Sequence, residues 1–272
     1  MRLFAILATG RPVVAVFRKG PRDWWWVGRW DLERQIVEPG AWLKGTLYPW
    51  RSDVSADGEL LLYVAAKDSG PAGFLGRELF AHTTYVAVSK LPWLYALAAW
   101  GDAASSAHGC HFVADPATLE PGAPGHGEVS GLAGRYGIAR TAPEQRAVER
   151  RRGWTEDKLC PPRKADDVDD HDRRVMVSRL RPGGGVRLTL EDKSWIGPPG
   201  GPEGRTPAYR VNGRAMTDVV WADWDTRGRL LVATRSGHLQ VRRGDTLHVL
   251  EDHDLSATVP APREAPKQAQ RW

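Results

Sequence analysis

Two hairpin signals, far apart in the chain, constrain the fold more than any other feature of the sequence. In residues 53–65, Asp57-Gly58 separates a short incoming strand from an apolar run that starts at Leu60. Asp-Gly favours a tight hairpin because both turn positions tolerate positive φ. Residues 219–234 repeat this arrangement around Arg227-Gly228, and Gly228 follows Gly58 by 170 residues. Since a propeller blade takes about 40–50 residues, the offset is near four blade periods and indicates a repeated sheet unit.

The composition favours many short strands. The 272 residues include 29 Gly, 20 Pro and 13 Trp. Gly and Pro suit tight turns and penalise the interior of helices, and Trp packs well between sheets. In an extended strand over residues 24–30, Trp24, Trp26 and Trp30 share one face and Trp25 lies on the other. The sequence therefore predicts an all-β protein, with most tryptophans in the core between sheets.

The first hairpin also resembles a known repeat. Ser55-Ala56-Asp57-Gly58 followed by an apolar strand is similar to the "S-P-D-G" hairpin of WD40-like and TolB-type propellers, with Ala56 in the place of Pro. Residues 30–67 and 84–100 further resemble a group of bacterial proteins that carry such repeats and have no assigned activity. The resemblance implies a β-propeller fold, and it implies no activity.

These patterns predict a propeller-like domain over residues 1–255, with about four or five blades in a closed or an incomplete ring. Residues 101–155 form an irregular excursion, in which residues 110–113 are a strand candidate. Thr141 and Glu144 have the spacing of a capping box, so we expect one short surface helix over residues 142–152. Residues 256–272 are rich in Pro and Ala, and we expect a flexible tail there.

Charge and cysteine content exclude several classes of protein. The formal net charge is +5, but the basic residues are mostly Arg and are spread along the whole chain, so nucleic acid is not the expected partner. Cys110 and Cys160 are too few for a disulfide framework or a zinc site. The amino-terminal apolar run is short and no later stretch is long enough to span a membrane, so we expect a cytoplasmic protein with no membrane partner.

Motifs for catalysis, metals and cofactors are missing from the sequence. His108 and His111 flank Cys110 without the spacing of a zinc site, and residues 166–172 lack the glycine and late Glu of a calcium loop. The glycine runs at 182–185 and 197–204 match no phosphate-binding loop. We therefore expect no cofactor and no metal.

Three functions remain open. The leading prediction is a non-enzymatic scaffold that binds another protein of unknown identity. An alternative is a hydrolase or lyase that uses polar residues in the propeller channel, and another is a propeller that binds a sugar or small ligand. The candidate catalytic residues are Asp53, His82, Asp102 and Asp218. The candidate binding residues, chosen because Trp and Arg are enriched at interfaces, are Trp24, Trp25, Trp42, Trp50, Arg150, Arg151, Arg152 and Trp154.

Overall fold

The chain is all-β, as the sequence predicts, and its strands form several antiparallel sheets. The computed structural model describes residues 2–66, 84–101, 109–114, 135–141, 151–159, 172–195 and 204–272. Contacts divide the chain into two compact units. The larger unit comprises Phe4–Val148 and Thr258–Trp272, and the smaller unit comprises Met1–Leu3 and Glu149–Ala257.

The first sheet is a four-stranded meander in which spatial order follows chain order. Trp25 pairs with Lys19 on one side and with Leu43 on the other, so this tryptophan lies on the central strand pair. Trp25 and Val27 face the core of the larger unit, as the predicted alternation requires. The strands of this sheet are β1 (Arg2–Leu7), β2 (Val13–Lys19), β3 (Trp24–Asp31) and β4 (Ile36–Lys44).

The second sheet contains the first predicted hairpin. The turn at Asp57-Gly58 joins β6 to β7, and Gly58 has φ of +70°, a conformation that favours glycine. The Gly58 N–H donates to the Ser55 carbonyl at 2.9 Å. The strands are β5 (Thr46–Leu47), β6 (Asp53–Val54), β7 (Leu60–Ala66), β8 (Thr84–Lys90) and β9 (Ala98–Gly101), followed by the separate pair β10 (Gly109–Val113) and β11 (Gly137–Thr141).

Strand β7 is buried on both faces and separates two hydrophobic clusters of the larger unit. Leu61, Tyr63 and Ala65 face the cluster shared with the first sheet. The alternate residues Leu60, Leu62 and Val64 face a second cluster, which includes Phe112 of β10. A strand of this kind needs apolar residues at every position, and this explains the continuous apolar run after Gly58.

The smaller unit holds a five-stranded and a four-stranded sheet. The second predicted hairpin joins β17 to β18, and Gly228 has φ of +73°, close to that of Gly58. The turn at Ser236-Gly237 joins β18 to β19. The strands are β12 (Thr155–Leu159), β13 (Asp172–Leu180), β14 (Arg187–Trp195), β15 (Gly204–Val211) and β16 (Arg214–Met216), then β17 (Val219–Trp224), β18 (Leu230–Thr234), β19 (His238–Arg242) and β20 (Val249–Asp254).

The core of the smaller unit lies between these two sheets. Its largest completely buried member is Trp224, and Trp154, Leu188 and Leu230 belong to the same cluster. Gly244 lies so close that an added Cβ would be 2.7 Å from the Trp224 ring, so a side chain at position 244 would displace that ring. The turn between β19 and β20 is therefore packed tightly against the Trp224 ring.

The structure describes the predicted carboxy-terminal tail but little of the predicted surface helix. Most of the predicted surface helix, residues 142–150, lies outside the described residues. Residues 258–272, where a flexible tail is expected, cluster with the larger unit and contain a 3-10 helix over Lys267–Ala269. Ala269 is buried, and the Lys90 ammonium donates to the Gln268 carbonyl at 3.0 Å.

Candidate functional site

An aromatic pair lies at one end of the first sheet, where β2 turns into β3. Trp24 of β3 and Trp42 of β4 meet edge to face, with ring centroids 6.4 Å apart and planes at 84°. Both side chains are only partly buried. Cross-strand pairing of Trp42 with Trp26 places Trp42 on the same sheet face as Trp24. The pair thus presents aromatic surface at the edge of an otherwise buried face.

Gly20 fixes the position of this pair. A Cβ at position 20 would be 2.9 Å from the Trp42 ring and 3.4 Å from the Trp24 Cβ. The Gly20 N–H also donates to the Trp24 carbonyl at 2.8 Å, which closes the hairpin between β2 and β3. Because Gly20 has no side chain, the backbone of the turn contacts the Trp42 ring directly. This contact holds the aromatic pair in place.

Two cationic residues lie beside the aromatic pair, and a third lies on the opposite face of the sheet. The third is Lys19, whose ammonium lies 5.1 Å from the centroid of the core-facing Trp25 ring, within the range of a cation–π contact. Lys44 is the cross-strand partner of Trp24 and is exposed. Arg22 is exposed in the turn, where Asp23 is the neighbouring carboxylate. We name Gly20, Arg22, Trp24, Trp42 and Lys44 the tryptophan surface, which carries two positive charges next to the single carboxylate of Asp23.

A second aromatic contact lies in the same unit, on the 3-10 helix over Pro49–Arg51. Trp50 meets Tyr48 edge to face at 6.1 Å, and the Arg51 guanidinium lies 4.9 Å from the Tyr48 centroid. Arg51 is buried, whereas Trp50 is partly exposed. This contact stacks the side chains of one short segment on each other, so it stiffens the connection between β5 and β6.

The other predicted binding residues differ in how much of their surface is exposed. Trp25 and Trp154 lie in hydrophobic cores and Arg152 is buried, so these three have little surface to offer a partner. Arg151 is exposed, and Arg150 lies outside the described residues. The predicted binding residues that retain accessible surface in the described part of the chain are Trp24, Trp42, Trp50 and Arg151.

The candidate catalytic residues are placed as follows. His82 and Asp102 lie outside the described residues. Asp53 is completely buried in β6 of the larger unit, where its carboxylate accepts the Phe112 N–H at 2.9 Å. Asp218 is in the turn before β17 of the smaller unit, and its carboxylate lies 2.9 Å from an Arg242 guanidinium nitrogen. Asp53 thus joins two strands of the core, and Asp218 forms a surface ion pair.

A buried ion pair in the smaller unit escapes prediction from sequence. The Arg179 guanidinium of β13 donates to the Asp223 carboxylate of β17, and the same carboxylate accepts the Trp224 N–H at 2.8 Å. Burial raises the pKa of the Asp223 carboxyl, and the charge of Arg179 only partly offsets this effect. Asp223 follows Asp53 by 170 residues, the same offset as that between the two hairpin glycines, and this repeat is the sequence signal that points to the carboxylate but not to its partner.

An ion-pair cluster also forms on the first hairpin. The Arg135 guanidinium lies 2.6 Å from the Asp57 carboxylate and 2.9 Å from that of Glu59. Burial alone would raise the pKa of the Asp57 carboxyl, but hydrogen bonds from Ser55, the Glu59 N–H, Tyr136 and Arg135 outweigh it and lower that pKa. The turn therefore stabilises the ionised form of Asp57.

Replacing Arg135 tests this cluster. Because both ion pairs are partly exposed, we expect Arg135→Ala to lower the free energy of unfolding by about 0.5–1 kcal/mol at pH 7. The folded-state pKa of Asp57 is lowered, so the stability that it contributes is present above its unfolded pKa of about 3.9 and is lost as the pH falls further. Urea denaturation at pH 7 and pH 3 measures the loss, and a loss of equal size at both values would contradict this origin.

The part of the chain that the structure describes contains no metal-binding cluster and no membrane-spanning helix. No group of three or more His, Cys, Asp or Glu side chains there is arranged to hold a metal ion. Cys110 and His111 are adjacent on β10, and Cys110 is buried with Phe112 in a hydrophobic cluster. Among the same described residues, no helix has the length and apolar character needed to cross a bilayer.

Comparison with known proteins adds no relative. The chain matches no protein-family model and no curated protein. The resemblance to propeller repeats therefore stays a prediction from the residues that carry it, and the geometry of the tryptophan surface is the basis for an argument about function.

Proposed function

We propose that the chain is a protein-interaction module that binds an acidic, partly apolar segment of another protein at the tryptophan surface. The observation that carries this proposal is the perpendicular Trp24–Trp42 pair, partly exposed and held in place by Gly20. Interfaces are enriched in tryptophan because its large rigid side chain gives much contact area at little entropic cost. A preorganised pair supplies such an anchor.

The charge around the pair selects the partner. Arg22 and Lys44 lie beside the two rings, and Asp23 is the neighbouring carboxylate. Complementary charge steers association and suppresses wrong partners more than it adds affinity. An acidic segment with at least one apolar side chain fits both the rings and the cations, and the affinity for it should fall as salt is added.

Affinity capture with matched variants tests this function. The tagged chain, Trp24→Ala, Trp42→Ala and the control Trp272→Ala are each used to capture proteins from the host lysate, with nuclease present. We expect one stoichiometric acidic partner to be retained by the unmodified chain and by Trp272→Ala, whose tryptophan is also partly exposed. Trp24→Ala and Trp42→Ala should retain at least tenfold less, as expected for residues that dominate an interface.

Two outcomes of this capture experiment would contradict the proposed function. A partner held equally by all four proteins would place the interface elsewhere, and no partner at all would contradict the interaction module. Thermal denaturation of each variant checks that the fold is intact, because Trp24 and Trp42 also bury part of their surface in the sheet. Elution of the partner by added salt separates an acidic partner from one held by apolar contact alone.

We further propose that the sheets are blades of a propeller-like domain. Two features support this: the four-stranded meanders at the two ends of the chain, and the recurring hairpins at Gly58 and Gly228. Successive meanders in chain order are the pattern of propeller blades. A crystal structure in which the sheets do not surround a common axis would contradict this arrangement.

A further inference from the structure

The last strand of the smaller unit is an edge strand with accessible side chains. In the described part of the chain, β20 pairs with β19 alone. Val249 and Leu250 at its start are 39% and 49% exposed. Near its end, the side chains of Asp252 and Asp254 are 44% and 55% exposed. An edge of this kind carries main-chain groups that a further strand is able to pair with.

The register shows which main-chain groups face outward. The Leu255 N–H donates to the Gly237 carbonyl at 3.0 Å, so Leu255 points toward β19. In an antiparallel pair, successive residues point alternately toward and away from the neighbour. The main-chain N–H and C=O groups of Asp254 and Asp252 therefore point to the outer edge. The pairing with β19 is regular from Glu251 to Asp254, so these groups are spaced as in an ordinary strand.

The side chains along this edge define what fits beside it. Strand β20 contains Glu251, Asp252 and Asp254 and no Lys or Arg. The His238 ring lies 3.0 Å from an Asp252 oxygen and 3.9 Å from an Asp254 oxygen, which places both carboxylates on one face of the sheet. The start of the strand, at Val249 and Leu250, is apolar. The edge thus changes from apolar to acidic along its length.

This charge disfavours a second copy of the chain as the occupant. If two β20 strands paired antiparallel with Asp252 of one opposite Asp252 or Asp254 of the other, like charges would lie directly opposite each other and destabilise the sheet. A strand with basic residues at alternate positions would instead place cations beside Asp252 and Asp254.

We propose that the outer edge of β20 binds an extended basic segment of a partner protein by strand addition. The segment runs antiparallel to β20, with Lys or Arg opposite Asp254 and Asp252 and an apolar residue opposite Val249 or Leu250. Main-chain hydrogen bonds supply most of the affinity in this mode, and the side chains supply the specificity. This surface lies on the smaller unit and does not depend on the tryptophan surface.

A labelled peptide tests the proposal. The probe is the amide of GGRVRVL with fluorescein at its amino terminus, in which the two Arg and the Leu take the three positions described. Fluorescence anisotropy is measured against the full chain. We expect saturable binding of this probe and no binding of the analogue GGEVEVL, in which Glu replaces both Arg. N-methylation of the probe at its second Arg removes a main-chain donor and should weaken binding at least tenfold.

Variants of Asp252 separate the roles of charge and main chain. Asp252→Asn keeps the N–H and should weaken binding about threefold, because one exposed ion pair is lost. Asp252→Pro removes the outward N–H without removing a bond to β19, and it should weaken binding at least tenfold. Asp245→Asn changes an exposed carboxylate outside β20 and should leave binding unchanged, as should Trp24→Ala. Circular dichroism of each variant confirms that the fold is retained.

Several results would overturn the proposal. Equal binding to the unmodified chain and to Asp252→Pro would show that the peptide does not add to this edge, and equal binding of the N-methylated probe would exclude strand addition. If no probe binds and sedimentation detects a dimer that Asp252→Pro abolishes, the edge pairs with a second copy and the proposed occupant is wrong.

Discussion

Arg179→Ala is expected to lower the free energy of unfolding of the smaller unit by about 3–5 kcal/mol, because it leaves a buried carboxylate without its main cation. Asp223 is buried, and the Arg179 guanidinium and the Trp224 N–H are its hydrogen-bond donors in β13 and β17. Urea denaturation followed by far-ultraviolet circular dichroism measures the loss. Arg214→Ala removes an exposed arginine of β16 as the control and should change the stability by less than about 0.5 kcal/mol.

The pH dependence of this loss has a defined sign. Burial raises the pKa of the Asp223 carboxyl in the folded state above its unfolded value. The folded state therefore binds more protons than the unfolded state between these two values, and stability falls as the pH rises through that window. Without Arg179 the pKa rises further, so the cost of Arg179→Ala should be largest at neutral pH and should shrink under acidic conditions.

A second variant distinguishes a lost charge partner from lost packing. Asp223→Asn removes the buried negative charge, so in the Arg179→Ala background it should recover part of the stability. If the double variant is less stable than Arg179→Ala alone, the contribution of Arg179 comes from packing of its alkyl chain, and the assignment of a charge effect is wrong. A double-mutant cycle over the two positions gives the coupling directly.

Asp53→Ala should lower the free energy of unfolding of the larger unit by about 3 kcal/mol, the second-largest effect that we expect. The carboxylate is completely buried and accepts the Phe112 N–H, so it joins β6 to β10 across two sheets. Its removal leaves a buried main-chain donor without that acceptor, and hydrogen bonds to charged groups contribute about 1.5–3 kcal/mol. Thermal and urea denaturation measure the effect.

Matched variants make this second prediction specific. Asp53→Asn keeps an acceptor oxygen of nearly the same shape and should cost clearly less than Asp53→Ala. Asp23→Ala removes an exposed carboxylate from the turn after β2 and should cost less than about 0.5 kcal/mol. If Asp53→Ala is as stable as Asp23→Ala, the carboxylate does not hold the two sheets together. If Asp53→Ala instead loses binding activity without losing stability, Asp53 has a functional role and not a structural one.

The hairpins were predictable because each depends on a local requirement of the backbone. Gly58 and Gly228 adopt nearly the same positive φ, and the Ser55 and Asp225 main-chain groups close the two turns with matching hydrogen bonds. Alternation along the tryptophan-rich strand β3 was predictable for the same reason, since the period of a strand is fixed. Both signals lie within a few residues of the structure that they specify.

The polar contacts of the core were not predictable, because they join distant parts of the chain. Arg179 and Asp223 are 44 residues apart and Asp53 and Phe112 are 59 apart. No local sequence pattern specifies which strands are neighbours in a sheet. For the same reason Trp25 and Trp24, neighbours in sequence, could not be assigned to core and surface until the packing of the first sheet was known. The offset between the two hairpins does align Asp53 with Asp223 in sequence, so it singles out the two carboxylates, but it does not indicate their partners.

The division of the chain into units has a consequence for its synthesis. The larger unit contains both Phe4–Val148 and Thr258–Trp272, so the stretch that completes it is translated after the smaller unit. Residues 149–257 of the smaller unit leave the ribosome before Ala269 is available to be buried or Gln268 to accept the Lys90 ammonium. The larger unit is thus the first to have most of its residues, Phe4–Val148, outside the ribosome, but it gains its remaining contacts only after the smaller unit has been translated.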